Sequence, residues 1–170
     1  MDIRITKTKK AIKEAFYELR SSQALEKIKV KDLCTLAQIN KTTFYKYYQD
    51  IYDLNSELEK EAFTCFQNDF QVCDRLFSDP EAFIRGIPAA LRSQWSLIYP
   101  IFHDRHDVFF NCLENDIMKF YLENHPKNLS DERVTFIISG TVRMLQNIRP
   151  GESPDEKFYS EVISIIKDLT

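Results

Sequence analysis

Apolar residues recur through the first forty positions at the spacing of amphipathic α-helices. In residues 5–20, and again in residues 30–37, they occur at i, i+3, i+4 and i+7, which places them on one helix face. Between these segments the chain must turn, and Leu25 and Ile28 are candidates to anchor that turn in a core. The pattern therefore predicts two helices that each bury one face.

The rest of the chain continues the helical pattern, with few turn-forming residues to interrupt it. The sequence holds 3 Gly and 6 Pro, and Pro88 and Pro100 are expected to kink, end or break the helices that contain them. Suitable helix N-caps are Asp50, Ser130 and one of the pair Ser78 and Asp79. The predicted helical segments are 50–77, 78–95, 96–102, 106–125, 130–149 and 154–170. We therefore predict an all-α protein of about nine helices without strands.

The stretch KTTFYKYY, residues 41–48, gathers lysines, hydroxyls and aromatic rings in one predicted helix. Phe44 and Tyr48 lie four positions apart and can face inward, which leaves most of the other side chains outward. Asn40 is a good N-cap for this helix, and Ile39 can plug the turn that precedes it. Two short helices joined in this way predict a helix-turn-helix, whose second helix offers groups that bond phosphates and base edges.

Charge is distributed unevenly along the chain, although the net charge is only −3. Residues 1–49 carry 11 Lys and Arg against 5 Asp and Glu, whereas residues 50–170 carry 12 against 21. A basic first part on an acidic remainder indicates an anionic partner for the first part. The alternative is that these lysines only solvate a helix face.

Residues 29–54, KVKDLCTLAQINKTTFYKYYQDIYDL, resemble the N-terminal pattern of the TetR/AcrR family of bacterial transcriptional regulators. The positions that fall on the pattern are Val30, Leu33, Ala37, Ile39, Thr43, Tyr45, Tyr48 and Leu54. Two positions depart from it: the usual Gly of the turn is Gln38, and the basic residue at the start of the fourth helix is Ile51. Gln38 implies that the backbone φ at this turn is ordinary, or that an unusual φ is tolerated.

The resemblance implies a DNA-binding head over residues 1–50 and a ligand-binding and dimerisation body over residues 51–170. The implied function is a sequence-specific regulator, a ligand-responsive repressor that acts as a homodimer on a near-palindromic operator, without enzyme activity. The implied DNA contacts are Val30, Lys31, Asn40, Lys41, Thr42, Thr43, Tyr45, Lys46 and Tyr47. For Tyr45 the alternative is core packing, and for Thr43 it is a cap or a surface hydroxyl.

The resemblance also implies that the last two helices pair with those of a second copy. The residues expected at that interface are Val134, Ile137, Ile138, Thr141, Val142, Leu145, Phe158, Val162, Ile165, Ile166 and Leu169, or they form an ordinary intrachain core. The body is expected to hold an unknown small-molecule effector. Its candidate pocket residues are Phe63, Phe66, Phe70, Trp95, Tyr99, Phe102 and Phe109, which can equally fill the core.

Other chemistry receives little support from the sequence. His103, His106 and Asp107 could bind a metal from one helix, but a position at a helix junction is the favoured interpretation, and we expect no metal and no cofactor. The four cysteines, Cys34, Cys65, Cys73 and Cys112, show no short C-x-x-C spacing and are expected to be reduced core residues. No apolar run spans a membrane and the start lacks a signal peptide, so a cytoplasmic protein is expected.

Two other functions compete with the regulator. One is a helical protein-binding module, or a transcriptional co-activator, that uses the same head for a protein partner. The other is a metal-dependent enzyme built around His103 and His106.

Overall fold

A computed structural model describes residues 3–69, 75–124, 129–148 and 154–170. These residues form ten α-helices, a single-turn 3-10 helix at Leu25–Lys27 and no strand, which confirms the predicted all-α class. The helices are α1 Ile3–Arg20, α2 Val30–Leu36, α3 Lys41–Phe44, α4 Ile51–Asp69, α5 Arg75–Ser78, α6 Pro80–Ser93, α7 Trp95–Phe102, α8 His106–Asn124, α9 Asp131–Gln146 and α10 Glu156–Leu169.

The predicted N-caps are confirmed where the backbone needs an acceptor. Asp79 accepts a hydrogen bond from the Ala82 N–H at 3.0 Å, and Ser130 accepts one from the Arg133 N–H at 3.4 Å. At the start of α4, the Asp50 carboxylate accepts from the Asp53 N–H at 2.8 Å. These side chains satisfy N–H groups that the first turn of a helix leaves without a backbone partner.

The two internal prolines do not end their helices, so the predicted helix end at these positions was wrong, whereas the predicted kink stays a prediction. Helix α6 continues through Pro88 to Ser93, and α7 continues through Pro100 to Phe102. A proline removes one backbone hydrogen bond, but burial of the side chains around it stabilises the helix beyond that point. In α6 the buried residues on the two sides of Pro88 are Ile87 and Ala90. Of the predicted single helix over residues 50–77, the structure describes α4 up to Asp69 and α5 from Arg75, and the residues between them lie outside the described ranges.

The chain divides into two compact units. Unit 1 contains the residues up to Ala62 together with Ser96–Asp104. In it α1 packs on α2, and α2 packs on α3. Its fully buried side chains include Ile12, Phe16, Leu33, Phe44, Leu54 and Leu58. The first part of α4 therefore belongs to the same unit as the α2–α3 segment.

A buried arginine is the main polar feature of unit 1. The Arg20 side chain is 0% exposed and donates two hydrogen bonds to Asp104, at 2.5 and 3.0 Å. It also donates to the carbonyl oxygens of Gln23 at 3.0 Å and of Ile101 at 2.9 Å. Asp104 in turn accepts from the Leu25 N–H at 3.3 Å. The end of α1 is thereby tied to the end of α7, across 84 residues of sequence.

Unit 2 contains Phe63–Trp95 and Arg105–Thr170. Its closest helix pairs are α8 with α9 and α6 with α10. The α6–α10 pair carries a surface ion pair, since the Arg85 guanidinium bonds Glu156 at 2.7 Å and lies 4.7 Å from the Tyr159 ring centroid. Within the described ranges, no helix combines the length and apolar character needed to cross a bilayer.

Candidate nucleic-acid interface

The turn between α2 and α3 has the hydrogen bonds of a Schellman motif. The Gln38 N–H donates to the Thr35 carbonyl at 3.3 Å, and the Ile39 N–H donates to the Cys34 carbonyl at 3.0 Å. Gln38 has φ +55°, in the left-handed region that favours glycine. Of the two alternatives left by the sequence, the structure therefore shows the unusual φ, with Gln accommodated in a conformation that glycine adopts more easily.

Replacing Gln38 with Gly should raise the free energy of unfolding by about 0.5–1 kcal/mol. The left-handed conformation costs an L-residue roughly 1–2 kcal/mol, and the greater freedom of glycine in the unfolded chain offsets part of the gain. Gln38 is exposed, so removal of its side chain should cost little packing energy. Urea unfolding measures the change, with Gln38→Ala as the control because it keeps the Cβ atom. A Gly variant no more stable than the Ala variant would contradict the strain argument.

Helix α3 is shorter than predicted. The sequence indicated a helix over residues 41–48, but the α-helix ends at Phe44 and turns follow at residues 45–47. The Lys46 N–H donates to the Thr43 carbonyl and the Tyr47 N–H to the Phe44 carbonyl, which are the i to i−3 bonds of a tighter turn. Threonine and tyrosine are weak helix formers, which explains why this segment does not continue as an α-helix.

Asn40 caps α3 as predicted. Its side-chain oxygen accepts from the Thr43 N–H at 2.7 Å and from the Thr43 hydroxyl at 2.8 Å. The hydroxyl of Thr43, a predicted contact to base edges, thus donates to the cap, and the residue is half-buried.

Two aromatic side chains anchor the segment, both of which were predicted to face inward. Phe44 is fully buried and Tyr48 is 2% exposed. The Tyr48 hydroxyl donates to Glu57 at 3.1 Å, and Glu57 forms ion pairs with Lys9 at 3.3 Å and Lys13 at 2.9 Å. Burial raises the pKa of Glu57, but the hydrogen bond and charge of Lys13 more than offset it and hold that pKa below its usual value. Two carboxylates of α4, Glu57 and Glu61, are therefore paired with lysines of α1.

The predicted DNA-binding residues differ in how far they reach solvent. Asn40, Lys31, Lys41, Thr42, Tyr45 and Lys46 are exposed, and Val30, Thr43 and Tyr47 are half-buried. Tyr45 is 56% exposed, with its ring edge-on to Phe44 at 5.4 Å between centroids. The alternative of core packing therefore does not describe Tyr45.

Further lysines of the same region escaped the sequence prediction. Lys27 and Lys29, just before α2, are exposed as well. We refer to Lys27, Lys29, Lys31, Lys41 and Lys46 as the α2–α3 lysines. Among the residues that the structure describes, none of them forms an ion pair. Lys27 and Lys29 could have been predicted from the sequence, because lysines alternate with apolar residues over positions 27–31. Asp32 is the one acidic residue between 27 and 47.

The start of α4 presents acidic groups near a buried residue. Ile51, which stands where the resemblance expects a basic residue, is 5% exposed. The carboxylates of Asp50 and Asp53 accept hydrogen bonds from backbone N–H groups there. Asp50 accepts from the Asp53 N–H, and Asp53 accepts from the Gln49 N–H at 2.9 Å. The neighbouring Tyr52 is 54% exposed, and the sequence analysis did not single it out.

The predicted effector-pocket residues are divided between the two units. Phe63, Phe66 and Phe109 pack on one another in unit 2, with ring centroids 5.1–6.3 Å apart. Trp95 belongs to unit 2, whereas Tyr99 and Phe102 belong to unit 1. Phe70 lies outside the described residues. A groove of about 900 Å³ in unit 2 is lined by other residues of α8 and α9.

The predicted dimer residues of α9 lie in the core of their own chain. Val134, Ile137, Ile138, Thr141, Val142 and Leu145 are each at most 3% exposed. On α10, Val162 and Ile166 are buried, Phe158 and Leu169 are half-buried, and Ile165 is 44% exposed. The burial of the α9 residues corresponds to the second alternative left by the sequence, an ordinary intrachain core. The large apolar side chain that α9 does expose is Phe136.

The histidines considered as metal ligands belong to different compact units. His103 belongs to unit 1, where its Nδ1 lies 3.3 Å from the Pro100 carbonyl oxygen and its ring is 5.3 Å from that of Tyr99. His106 and Asp107 are exposed at the start of α8, in unit 2. No cluster of three or more metal-ligating side chains occurs among the described residues.

The α2–α3 segment thus combines a buried aromatic anchor with the exposed hydroxyls of Thr42 and Tyr45 and with exposed lysines that form no ion pair among the described residues. Such groups form charge-assisted hydrogen bonds with an anionic partner. Comparison with models of known protein families and with curated proteins gives no match for this chain. The chemistry of this surface is therefore the guide to function.

Proposed function

We propose that the chain is a sequence-specific DNA-binding transcriptional regulator of the TetR/AcrR type, in which α2, its turn and α3 act as a helix-turn-helix. The observation that carries this proposal is the exposure of all five α2–α3 lysines without ion pairs among the described residues. On α1, by contrast, Lys9 and Lys13 are paired with carboxylates. Unpaired surface cations release condensed counterions from a nucleic-acid backbone, which is the main source of affinity for DNA.

The exposed polar groups of α3 supply the contacts that read sequence. Thr42 and Tyr45 offer hydroxyls, a methyl group and a phenol ring to base edges and sugars. Phe44 and Tyr48 hold the segment against the core of unit 1. A rigid support of this kind fixes the direction of the outward side chains, and specific recognition requires that.

The chain acts, in this proposal, as a homodimeric and ligand-responsive repressor in the cytoplasm. A dimer places two α3 segments on half-sites about one helical turn apart, about 34–36 Å, and so selects a near-palindromic operator. An effector bound in unit 2 releases the operator by favouring a conformation that no longer fits both half-sites.

The decisive experiment is fluorescence anisotropy with purified protein at three salt concentrations. The probes are the DNA immediately upstream of the gene that encodes the chain, and a random-sequence duplex of equal length. We expect selective binding whose affinity falls steeply with salt, with a log–log slope near −0.9 for each neutralised phosphate. Equal binding of both probes at every salt concentration would refute sequence-specific recognition.

Tyr45→Ala should weaken binding to the selected DNA by about 5- to 10-fold, the equivalent of about one hydrogen bond. Because the Tyr45 side chain is 56% exposed, the thermal unfolding midpoint should stay close to that of the wild type. The matched control is Tyr52→Ala, which removes an equally exposed tyrosine beside Asp50 and Asp53, where DNA is disfavoured. Equal losses in the two variants would contradict a specific role for Tyr45.

A protein partner for the same surface is the second candidate, either for a helical binding module or for a transcriptional co-activator. It is favoured by the exposed apolar surface of Leu36, at 39%, and of Tyr45. Such a surface binds with weak dependence on salt, because apolar burial releases no counterions. The absence of selective DNA binding in the anisotropy experiment would support this candidate.

A further inference from the structure

Helix α3 and the turn that follows it offer few of the groups that form specific hydrogen bonds with base edges. Such bonds join arginine or lysine to guanine, asparagine or glutamine to adenine, and aspartate or glutamate to cytosine. Of these side chains, residues 41–47, KTTFYKY, contain only lysine. Lysines also bind phosphates, and threonine hydroxyls bond more than one base. Specificity for one base must therefore come largely from another kind of contact.

The hydrogen-bonding groups at the start of α3 are already engaged within the chain. The Asn40 side-chain oxygen accepts from the Thr43 N–H at 2.7 Å and from the Thr43 hydroxyl at 2.8 Å. Because both lone pairs of this oxygen are used, Asn40 cannot also accept from the amino group of adenine. Thr43 is half-buried and has no hydroxyl hydrogen left to donate to a base. The N-cap therefore leaves these two residues little capacity to recognise a base through hydrogen bonds.

The same segment presents apolar surface to solvent beside its hydroxyls. Thr42 is exposed, and its side chain carries a methyl group. The Tyr45 ring is 56% exposed and lies edge-on to the fully buried Phe44, with 5.4 Å between the ring centroids. A ring supported by the core in this way offers an apolar surface of fixed position. In the major groove of DNA, the apolar group that such a surface can contact is the C5-methyl group of thymine, which the other three bases lack.

We infer that the chain recognises thymine in each half-site by apolar contact of the Thr42 methyl group and the Tyr45 ring with thymine C5-methyl groups. This inference rests on the proposed function and names the base that α3 and its turn select. The contact removes apolar groups of both molecules from water, which favours thymine over a pyrimidine without the methyl group. Burial of one methyl group corresponds to about a 4-fold change in affinity.

The test compares thymine with deoxyuridine, which pairs with adenine in the same way but lacks the C5-methyl group. The purified full chain first selects sequences from a pool of random duplexes, so the probe does not depend on where the natural operator lies. The enriched sequence is then made twice, once with thymine and once with deoxyuridine throughout, and anisotropy gives the two dissociation constants. The wild type should bind the deoxyuridine duplex about 4-fold more weakly for each methyl group that it contacts.

Variants of the chain separate a direct methyl contact from an effect of the methyl group on the shape of the DNA. Thr42→Ser removes a methyl group and keeps the hydroxyl, so it should weaken binding of the thymine duplex by about 4-fold and leave binding of the deoxyuridine duplex unchanged. Tyr45→Ala should also reduce the preference for thymine, whereas Tyr45→Phe keeps the ring and should keep that preference. Thr35→Ser is the matched control and should keep it too, because Thr35 lies on α2, exposed, with its hydroxyl bonded to the Lys31 carbonyl at 3.0 Å.

The thymine inference and the proposed function can fail separately. Enrichment of a sequence that binds equally well with thymine and with deoxyuridine would support the regulator and overturn the thymine inference. A preference for thymine that both Thr42→Ser and Tyr45→Ala retain in full would also overturn it, because the methyl group would then act through the DNA alone. If no sequence is enriched from the random pool, sequence-specific recognition is refuted, and the thymine inference is refuted with it.

Discussion

Replacing Arg20 with Met is expected to lower the free energy of unfolding by about 3–5 kcal/mol, the range for breaking a buried ion pair from one side. Methionine is apolar and similar in length, so it fills most of the same space and leaves mainly the polar contacts to be lost. The Arg20 side chain is 0% exposed and spans the end of α1 and the end of α7 within unit 1. The expected loss therefore reports on a link between two distant segments of the chain.

The groups left behind determine the size of the effect. The carbonyl oxygens of Gln23 and Ile101 lose their arginine donor, and Asp104 loses both bonds from the guanidinium. Asp104 keeps the Leu25 N–H, and its side chain is 25% exposed, so water replaces part of the loss. The Nε atom of Arg20 has no hydrogen-bond partner among the described residues, and its removal gives back about 1 kcal/mol. These two offsets place the expected value at the lower end of the range.

Urea unfolding at neutral pH measures the difference between wild type and Arg20→Met. Arg133→Met is the matched control, because Arg133 is exposed on α9 and its replacement should change stability by at most about 0.5 kcal/mol. Arg20→Lys keeps the charge but not the two-pronged geometry, and should fall between wild type and the Met variant. A loss below about 1 kcal/mol in the Met variant would show that the pair contributes little.

The difference in unfolding free energy between wild type and Arg20→Met should depend on pH, and this dependence tests Asp104 as the ion-pair partner of Arg20. Burial raises the pKa of Asp104, but the hydrogen bonds and charge of Arg20 more than offset it, so its pKa is lowered in the folded state. A group with a lowered pKa contributes stability above its unfolded pKa and loses it as the pH falls through the folded value. The gap between wild type and Arg20→Met should therefore narrow on acidification below about pH 4. A gap that stays constant down to pH 2 would assign the loss to the two carbonyl contacts instead.

Local patterns in the sequence identified most helices and caps, because those signals lie within a few residues of one another. Asn40 accepts from the Thr43 N–H, and Phe44 and Tyr48 turn inward, as the spacing indicated. Arg20 and Asp104 are 84 residues apart, and no periodicity connects them. The pair follows from tertiary packing alone.

Periodicity also could not say what covers an apolar helix face. The stripe that includes Val134, Ile137 and Ile138 was predicted to meet a second copy or to form an intrachain core, and in the structure its side chains are buried within their own chain. The same hydrophobic pattern satisfies either arrangement, since burial is indifferent to which chain provides the cover. Pro88 shows a second limit of sequence prediction. The preference of proline against helix interiors allowed α6 to end there, but tertiary contacts stabilise the helix as far as Ser93.

Replacing Lys31, Lys41 and Lys46 together with Gln is expected to weaken DNA binding by about 500-fold per head at about 0.1 M salt. Each lysine that neutralises a phosphate contributes about 0.9 to the log–log salt slope, so three removals reduce the slope by about 2.7. Extrapolated from 1 M salt, where the electrostatic term vanishes, that slope difference gives about 500-fold at 0.1 M. All three side chains are exposed and make no ion pair among the described residues, so the fold should be unaffected.

Net charge alone must be separated from its position on the molecule. The control triple variant replaces Lys119, Lys157 and Lys167, exposed lysines of unit 2, and changes the net charge by the same amount. Anisotropy titrations of both triple variants across the salt series make the comparison. If the control loses as much affinity as the α2–α3 triple variant, binding depends on overall charge and the proposed interface is wrong.

The lysine and tyrosine variants should divide affinity from specificity. Phosphate contacts carry no sequence information, so the α2–α3 triple variant should lose affinity for selected and random DNA to the same extent. The ratio of the affinities for selected and random DNA should stay unchanged, while the slope of log affinity against log salt becomes less steep. Tyr45→Ala should lower this affinity ratio and leave the salt slope unchanged, because the exposed phenol is proposed to contact bases. A common effect of both variants on slope and ratio would mean that the exposed face of α3 does not read sequence.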